Sequence, residues 1–251
     1  MRTLELSPNA IYSGSLILVN SKNPCREVAS KLSLVPVDEK NPTALMERQS
    51  ARLLYRLIEE VGVCNQIVAV SGWRSKSEQT HIYEDSIAEN GMAFTKKYVA
   101  LPGCSEHHTG LAIDLAVNKP DIDFIRPEFP YNGICHKFRE KASNFGFVER
   151  YPEGKESVTG IAWEPWHFRY VGFPHSAIMR QEEMTLEEYH LFLKEDASGT
   201  NPFVYHANGR RIEMSFQKAD KNGLTKIDVD DEALCTVSGN NTDGFIITVW
   251  R

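Results

Sequence analysis

Two histidines and an aspartate carry the residue types that bind a transition metal. His107 and Asp114 stand seven apart in Ser105-Glu106-His107-His108-Thr109-Gly110-Leu111-Ala112-Ile113-Asp114, and His167 follows some fifty residues on in Glu164-Pro165-Trp166-His167. A catalytic zinc takes three protein ligands from His, Cys, Asp and Glu and leaves a position for water, whereas a structural zinc is closed by four ligands, usually rich in Cys. Two histidines, one aspartate and no nearby Cys pair fit the open kind. The chemistry expected is one zinc held by His107, Asp114 and His167, with Glu164 working on the water it activates. A lone His/Asp pair would mean little in a chain with 34 acidic residues; its weight comes from Glu164 and His167.

These residues need particular elements to hold them. Leu111 to Val117 is long and apolar enough for a buried strand, so Asp114 is expected on a strand and His107 in the loop before Thr109-Gly110. Glu164 and His167 are three apart, a spacing that faces opposite sides of a regular strand. Pro165 lacks a ladder donor and belongs at strand starts, edges and bulges. The prediction is therefore an irregular strand start that aims both side chains at the metal. Upstream, Ile67 to Val70 reads as a buried strand delivering Ser71-Gly72-Trp73-Arg74, and Ser75 to Glu78 is a capping-box pattern opening a helix that ends at Asn90-Gly91. Arg74 at that strand-to-helix junction can stabilise an oxyanion, a role worth about 3 to 4 kcal/mol in a transition state. His108 is the rival ligand beside His107; its expected role is that of a hydrogen-bonding neighbour.

Together these segments resemble the zinc D,D-peptidases that include the VanY carboxypeptidases, the VanX dipeptidases and the bifunctional VanXY enzymes. Ser105 to Asp114 matches the SxHxxGxAxD motif, Glu164 to His167 the ExWH motif, and Ser71 to Ser75 the SGxRS element, in the family's order and spacing, with VanXY most similar. The resemblance implies metal ligands His107, Asp114 and His167, a catalytic base Glu164 and a transition-state arginine Arg74. It also implies substrate contacts at Gln79 and Ser105; Trp166 is expected beside them as a further substrate-holding side chain. The implied reaction is zinc-dependent hydrolysis of D-Ala-D-Ala or removal of the C-terminal D-Ala from peptidoglycan precursors, and hence glycopeptide (vancomycin) resistance. Two other readings compete: a cell-wall L,D-endopeptidase of the same metal architecture, and a non-catalytic zinc module that binds peptides. Intact Glu164 and Arg74 argue against the second.

The wider composition agrees. A net charge of -6 over 251 residues, with no basic stripe carrying interleaved aromatics, argues against nucleic acid as a partner. The five cysteines, at 25, 64, 104, 135 and 235, are odd in number and lack CxxC spacing, so they read as thiols in a reducing compartment. Neither a secretory apolar core nor a membrane span is expected near the N-terminus, which points to the cytoplasm.

The expected fold class is α+β, an antiparallel sheet with flanking helices. Its parts are an N-terminal arm over 1–40, a catalytic domain over 41–197 and a β-hairpin-rich appendage over 198–251. Further expectations are a strand at Ser15 to Asn20, a helix capped by Thr43 and running to Glu60 with Gly62 as its stop, an irregular stretch from Ala93 to Ser105, and a helix from Ile134 to Asn144. A strand is expected at Phe147 to Arg150, followed by a charged loop from Tyr151 to Gly160. Two hairpins are expected in the tail, one turning at Asn208-Gly209 and one around Asn240 to Gly244.

Overall fold

Alternation along two neighbouring strands separates the greasy side of the main sheet from its chemical side. The computed structural model describes residues 1–38 and 41–251. In chain order the strands are β1 (Arg2–Leu6), β2 (Leu34–Asp38), β3 (Asn41–Glu47), β4 (Ile67–Ser71), β5 (Ala112–Val117), β6 (Phe147–Tyr151), β7 (Glu164–Tyr170), β8 (Phe203–Ala207), β9 (Arg210–Lys218), β10 (Thr225–Val229), β11 (Leu234–Gly239) and β12 (Gly244–Trp250). The helices are α1 (Arg48–Val61), α2 (Lys76–Asn90), α3 (Met92–Tyr98), α4 (Gly133–Ala142), α5 (Glu156–Thr159), α6 (His175–Gln181) and α7 (Leu186–Asp196). This is a mixed helix and antiparallel-sheet protein, as expected.

The central sheet is antiparallel in the order β4-β5-β7-β6. Ile113, Leu115 and Val117 of β5, and Trp166, Phe168 and Tyr170 of β7, join the hydrophobic core. The residues between them, Asp114, His167 and Arg169, are buried on the other face, because side chains on a strand alternate between faces. The core side is closed by α1 and α4, which pack on each other and contribute Leu54, Leu57, Phe138 and Ala142.

Several local expectations are corrected. Thr43 does not cap α1: it lies inside β3, which pairs with β2, and the cap is Glu47, whose Oε2 accepts from the backbone N–H groups of Gln49 and Ser50 at 2.9 and 3.1 Å. Gly62 ends the helix in the left-handed conformation, as its position predicts. No strand forms at Ser15 to Asn20; Leu16 and Leu18 donate instead to Ser238 Oγ and to the Asn240 carbonyl, so the run is buried without a ladder. The stretch from Ala93 to Ser105 is not wholly irregular, since α3 occupies its first part, and the loop after Tyr151 contains the short α5.

Two compact units emerge, Val19–Thr185 and a second made of Met1–Leu18 with Leu186–Arg251. This division differs from a separate arm over 1–40. The first eighteen residues belong with the tail because β1 pairs antiparallel with β10 and because Gly239 and Asn241 donate to Ser13 and Ile11. The expected boundary at residue 40 falls next to residues 39–40, which lie outside the described residues. The tail also holds a four-stranded antiparallel sheet, β11-β12-β9-β8. Its β8–β9 hairpin turns at Asn208 and Gly209, both at positive φ (51° and 73°), as a two-residue primed turn requires.

Candidate metal centre

Strand register brings the candidate ligands together before any side chain is considered. Asp114 lies directly opposite His167 in the β5–β7 ladder, and Ser71 lies opposite Asp114 in the β4–β5 ladder. Partners opposite one another share a face at close range. The start of β7 is irregular: between the pairs Glu149↔Phe168 and Tyr151↔Glu164, two steps on β6 face four on β7. That slack turns Glu164 to the side of His167, with Glu164 Oε2 at 4.0 Å from His167 Nδ1.

His107 comes from a 3-10 turn, Glu106–Thr109, capped by Ser105 and ended by Gly110 at φ 70°. Its Nδ1 lies 2.6 Å from the Gly72 carbonyl, so Nδ1–H is the donor and Nε2 keeps its lone pair. The next histidine is spent on the backbone. His108 Nε2 accepts from Gly103 N–H at 3.1 Å, and Nδ1 donates to the Arg74 carbonyl at 2.8 Å, leaving no lone pair for a metal. The motif register and the tautomers therefore agree on His107. Gly72 must be glycine for another reason: a Cβ there would stand 2.2 Å from the Leu45 carbonyl oxygen, where β3 meets the end of β4.

One ligand atom from each of His107, Asp114 and His167 lies within 4.8 Å of the others, and all three residues are buried. Asp114 Oδ2 sits 3.2 Å from His107 Nε2, and Asp114 Oδ1 sits 2.8 Å from His167 Nδ1. With His107 carrying its proton on Nδ1, its Nε2 and the carboxylate are two lone-pair donors pointed at each other, an arrangement that a cation relieves. The donor set and its free side suit zinc of the open type.

The electrostatics fit the same reading. Burial, reinforced by the nearby Arg74 charge, depresses the His107 imidazole to about 4, which keeps it neutral. Burial would also lower His167, but its hydrogen bonds with Asp114 and Glu106 outweigh this and raise it to about 9. Its proton then occupies the side of Nδ1 that a metal would take, and a metal must displace it. Burial would raise Asp114 too, yet His107 and His167 hold it well below the usual carboxylate range. Glu164 moves the other way: burial, aided by the Asp114 charge, raises its carboxyl to about 8 against the opposing pull of His167 and Arg74.

The cleft lined by these groups also includes Arg74, Gln79, Ser105 and Trp166. Every residue anticipated for the site thus borders one cavity. Arg74 follows β4 and precedes α2, whose capping box at Ser75 and Glu78 is formed. Its Nε donates to Ser71 Oγ (2.7 Å), Nη2 to Asp114 Oδ2 (2.7 Å) and Nη1 to Gln79 Oε1 (3.3 Å). The Phe124 ring lies 5.5 Å from the guanidinium. A guanidinium has five N–H donors, so two remain for a ligand among the described residues. Gln79 is buried and holds Arg74 while its Nε2 donates to the Ala100 carbonyl at 2.9 Å; its amide orients the arginine. Ser105 Oγ accepts from His107 N–H at 3.4 Å, and Trp166 is shared between cleft and core.

One neighbour of the ligands escaped the sequence reading. Glu106 is fully buried beside His107, and nothing separates it in sequence from the chain's other acids; the only signal is its place inside the motif. Its partners Arg150 and Arg169 lie 44 and 63 residues away.

Residues 45–173 match the family model described as VanY: D-alanyl-D-alanine carboxypeptidase. The chain is 42% identical over 180 residues to the bifunctional D-Ala-D-Ala dipeptidase and D-Ala-D-Ala carboxypeptidase VanXYC of Enterococcus gallinarum, covering 71% of this chain and 95% of that protein. Its structure is similar to the vancomycin resistance D,D-dipeptidase VanXYg in complex with a D-Ala-D-Ala phosphinate analog, with a TM-score of 0.96, 49% identity, and 100% and 99% of the two chains covered. It is also similar to a vancomycin resistance D,D-pentapeptidase VanY from a VanB-type cassette in complex with Zn(II), with a TM-score of 0.55, 27% identity, and 70% and 98% covered.

Proposed function

Because the chain belongs to the VanY family of D-alanyl-D-alanine carboxypeptidases, we propose that it is a zinc-dependent D,D-peptidase. Its substrates are D-Ala-D-Ala and the D-Ala-ended peptides of peptidoglycan precursors, and its biological role is glycopeptide resistance. The observation that carries this reading is the convergence of the His107, Asp114 and His167 ligand atoms within 4.8 Å in a cleft that Glu164 and Arg74 also line. One zinc ion is held by those three residues.

A zinc ion bound there supplies Lewis acidity, which makes water a competent nucleophile near neutral pH. Glu164 takes the proton that water loses as it attacks the scissile carbonyl carbon. The same carboxyl then passes that proton to the amine nitrogen of the departing D-Ala as the C–N bond breaks. A carboxyl raised toward neutrality suits both halves of this exchange, because it accepts and gives up a proton at similar cost. The two uncommitted N–H groups of Arg74 face the carbonyl oxygen as it gains negative charge, held in aim by Ser71 and Gln79. Ser105 and Trp166 complete the cleft wall against the substrate.

A cytoplasmic setting is part of the proposal, supported by five cysteines that all stand as free thiols. Among the described residues no helix is long and apolar enough to cross a membrane. The test is release of D-Ala from the dipeptide and from a pentapeptide precursor, with and without a chelator, beside intact sacculi. Chelator-sensitive release from either soluble substrate supports the reading. Activity on sacculi alone would replace it with the L,D-endopeptidase alternative.

A further inference from the structure

A second buried carboxylate borders the cleft beside the candidate ligands, and its contacts differ from those of Glu164. Glu106 is 1% exposed, and it lies among side chains almost as enclosed, Arg150 at 1% and Arg169 at 0%. Its Oε1 accepts from both arginines, Arg150 Nε at 2.8 Å and Arg169 Nη1 at 2.8 Å. Its Oε2 is turned to His167 Nε2, 3.4 Å away, while the other ring nitrogen faces Asp114. An imidazole whose far nitrogen donates to a carboxylate has a fixed tautomer, a fixed ring plane and a more basic ligand nitrogen.

We propose that Glu106 is the positioning residue of the metal centre: Oε2 accepts Nε2–H of His167, so that the ring presents the Nδ1 lone pair to the ion beside Asp114. Arg150 and Arg169 serve this arrangement by occupying Oε1, which leaves Oε2 to the imidazole. They also anchor the carboxylate to two strands, β6 and β7, the second of which carries His167 itself. The proposal rests on the metal reading above and deepens it, since it concerns how tightly and in which orientation the ligand set holds the ion. It separates Glu106 from Glu164, although both border the cleft: Glu164 handles substrate protons, whereas the Glu106 carboxylate is committed to Arg150, Arg169 and His167 and acts only through His167.

The first test uses the unaltered full-length protein loaded with zinc and labelled with ¹⁵N-histidine. Two-bond nitrogen–proton correlation spectra should show His167 as the Nε2–H tautomer; an Nδ1–H tautomer in the loaded protein overturns the proposal. The second test measures zinc affinity by competition with a chromophoric chelator in Glu106→Gln and Glu106→Asp, alongside thermal melting of the metal-free proteins. Glu106→Asp keeps the negative charge between the arginines but draws it back by one methylene, and the melting of the metal-free variant reports whether the fold tolerates this. Zinc affinity should fall about 10- to 100-fold in a variant whose metal-free melting stays near that of the parent. Affinity within about twofold of the parent in a folded variant overturns the role of Glu106 while leaving the metal reading intact. Absence of zinc binding by the parent protein overturns both.

Discussion

At the scale of single residues, the site divides labour between groups that hold an ion and groups that handle protons. Glu164 lines the cleft without belonging to the three-ligand set. Replacing it with alanine should therefore keep one equivalent of zinc by metal analysis while D-Ala release falls by at least about 10² to 10⁴, the usual worth of a general base. His107→Ala should do the reverse and lose the metal. Arg74→Ala should lower kcat about 10²- to 10³-fold with little change in zinc content. The raised His167 leads to a calorimetric prediction. At pH 7 an imidazole raised to about 9 carries its proton, and zinc must expel it. Titration with zinc in two buffers of different ionisation enthalpy should report at least about one proton released, and apparent affinity should climb with pH. An identical heat in both buffers would contradict that protonation state.

Secondary-structure elements set the tolerances within which those residues work. The approach of β3 to the end of β4 leaves no room for a side chain at Gly72, where a Cβ would stand 2.2 Å from the Leu45 carbonyl oxygen. The same residue's carbonyl accepts the hydrogen bond from His107 Nδ1–H. Gly72→Ala should accordingly cost about 1 to 3 kcal/mol of stability and weaken zinc binding as well, which denaturant unfolding and chelator competition would register together. Helix α6 supplies a second element-level effect. Its first residue, His175, is buried, and burial depresses the imidazole to about 3 from an ordinary value of 6.5. A histidine lowered in the folded state stabilises above its unfolded value and loses that contribution as the pH falls from about 6.5 toward 3. The folded protein should thus lose up to about 1.4 kcal/mol per pH unit from this group, and His175→Gln should flatten the stability profile between pH 6.5 and 4. An unchanged slope would remove His175 from the acid response.

For the whole molecule, the metal links chemistry to folding. His107, Asp114 and His167 come from a turn and two strands that converge only in the folded chain, so zinc held by the proposed ligand set would bind the native state and not the unfolded one. Zinc at about 100 times its dissociation constant should stabilise by about 2.7 kcal/mol. For a chain of this size that corresponds to about 5 to 10 °C in Tm. Scanning calorimetry with and without chelator should show this drop, and His107→Ala should show none.

The legible part of the protein was local. His107 and Asp114 sit seven residues apart, and Glu164 and His167 three apart, so their spacing encodes a turn and a strand whose side chains share one target. The capping box at Ser75 and Glu78 and the Asn208-Gly209 turn act within four residues, and each reads directly from the order of amino acids. Other features depend on pairing that the local order of residues does not announce. Thr43 looked like a helix cap because nothing nearby announces that Asn41–Glu47 pairs with Leu34–Asp38. The strand Arg2–Leu6 was invisible because its partner lies more than two hundred residues away. The role of Glu106 is hidden for the same reason, since its meaning comes from Arg150 of β6 and from His167 and Arg169 of β7, which only the sheet brings to it. The order of residues alone thus determined the ligand types, their local elements and the chemistry they could support. Tertiary structure decided which nitrogen of His107 is free and which of two cleft carboxylates is clamped by buried arginines, because tautomer and orientation follow from hydrogen bonds between segments that only folding brings into contact.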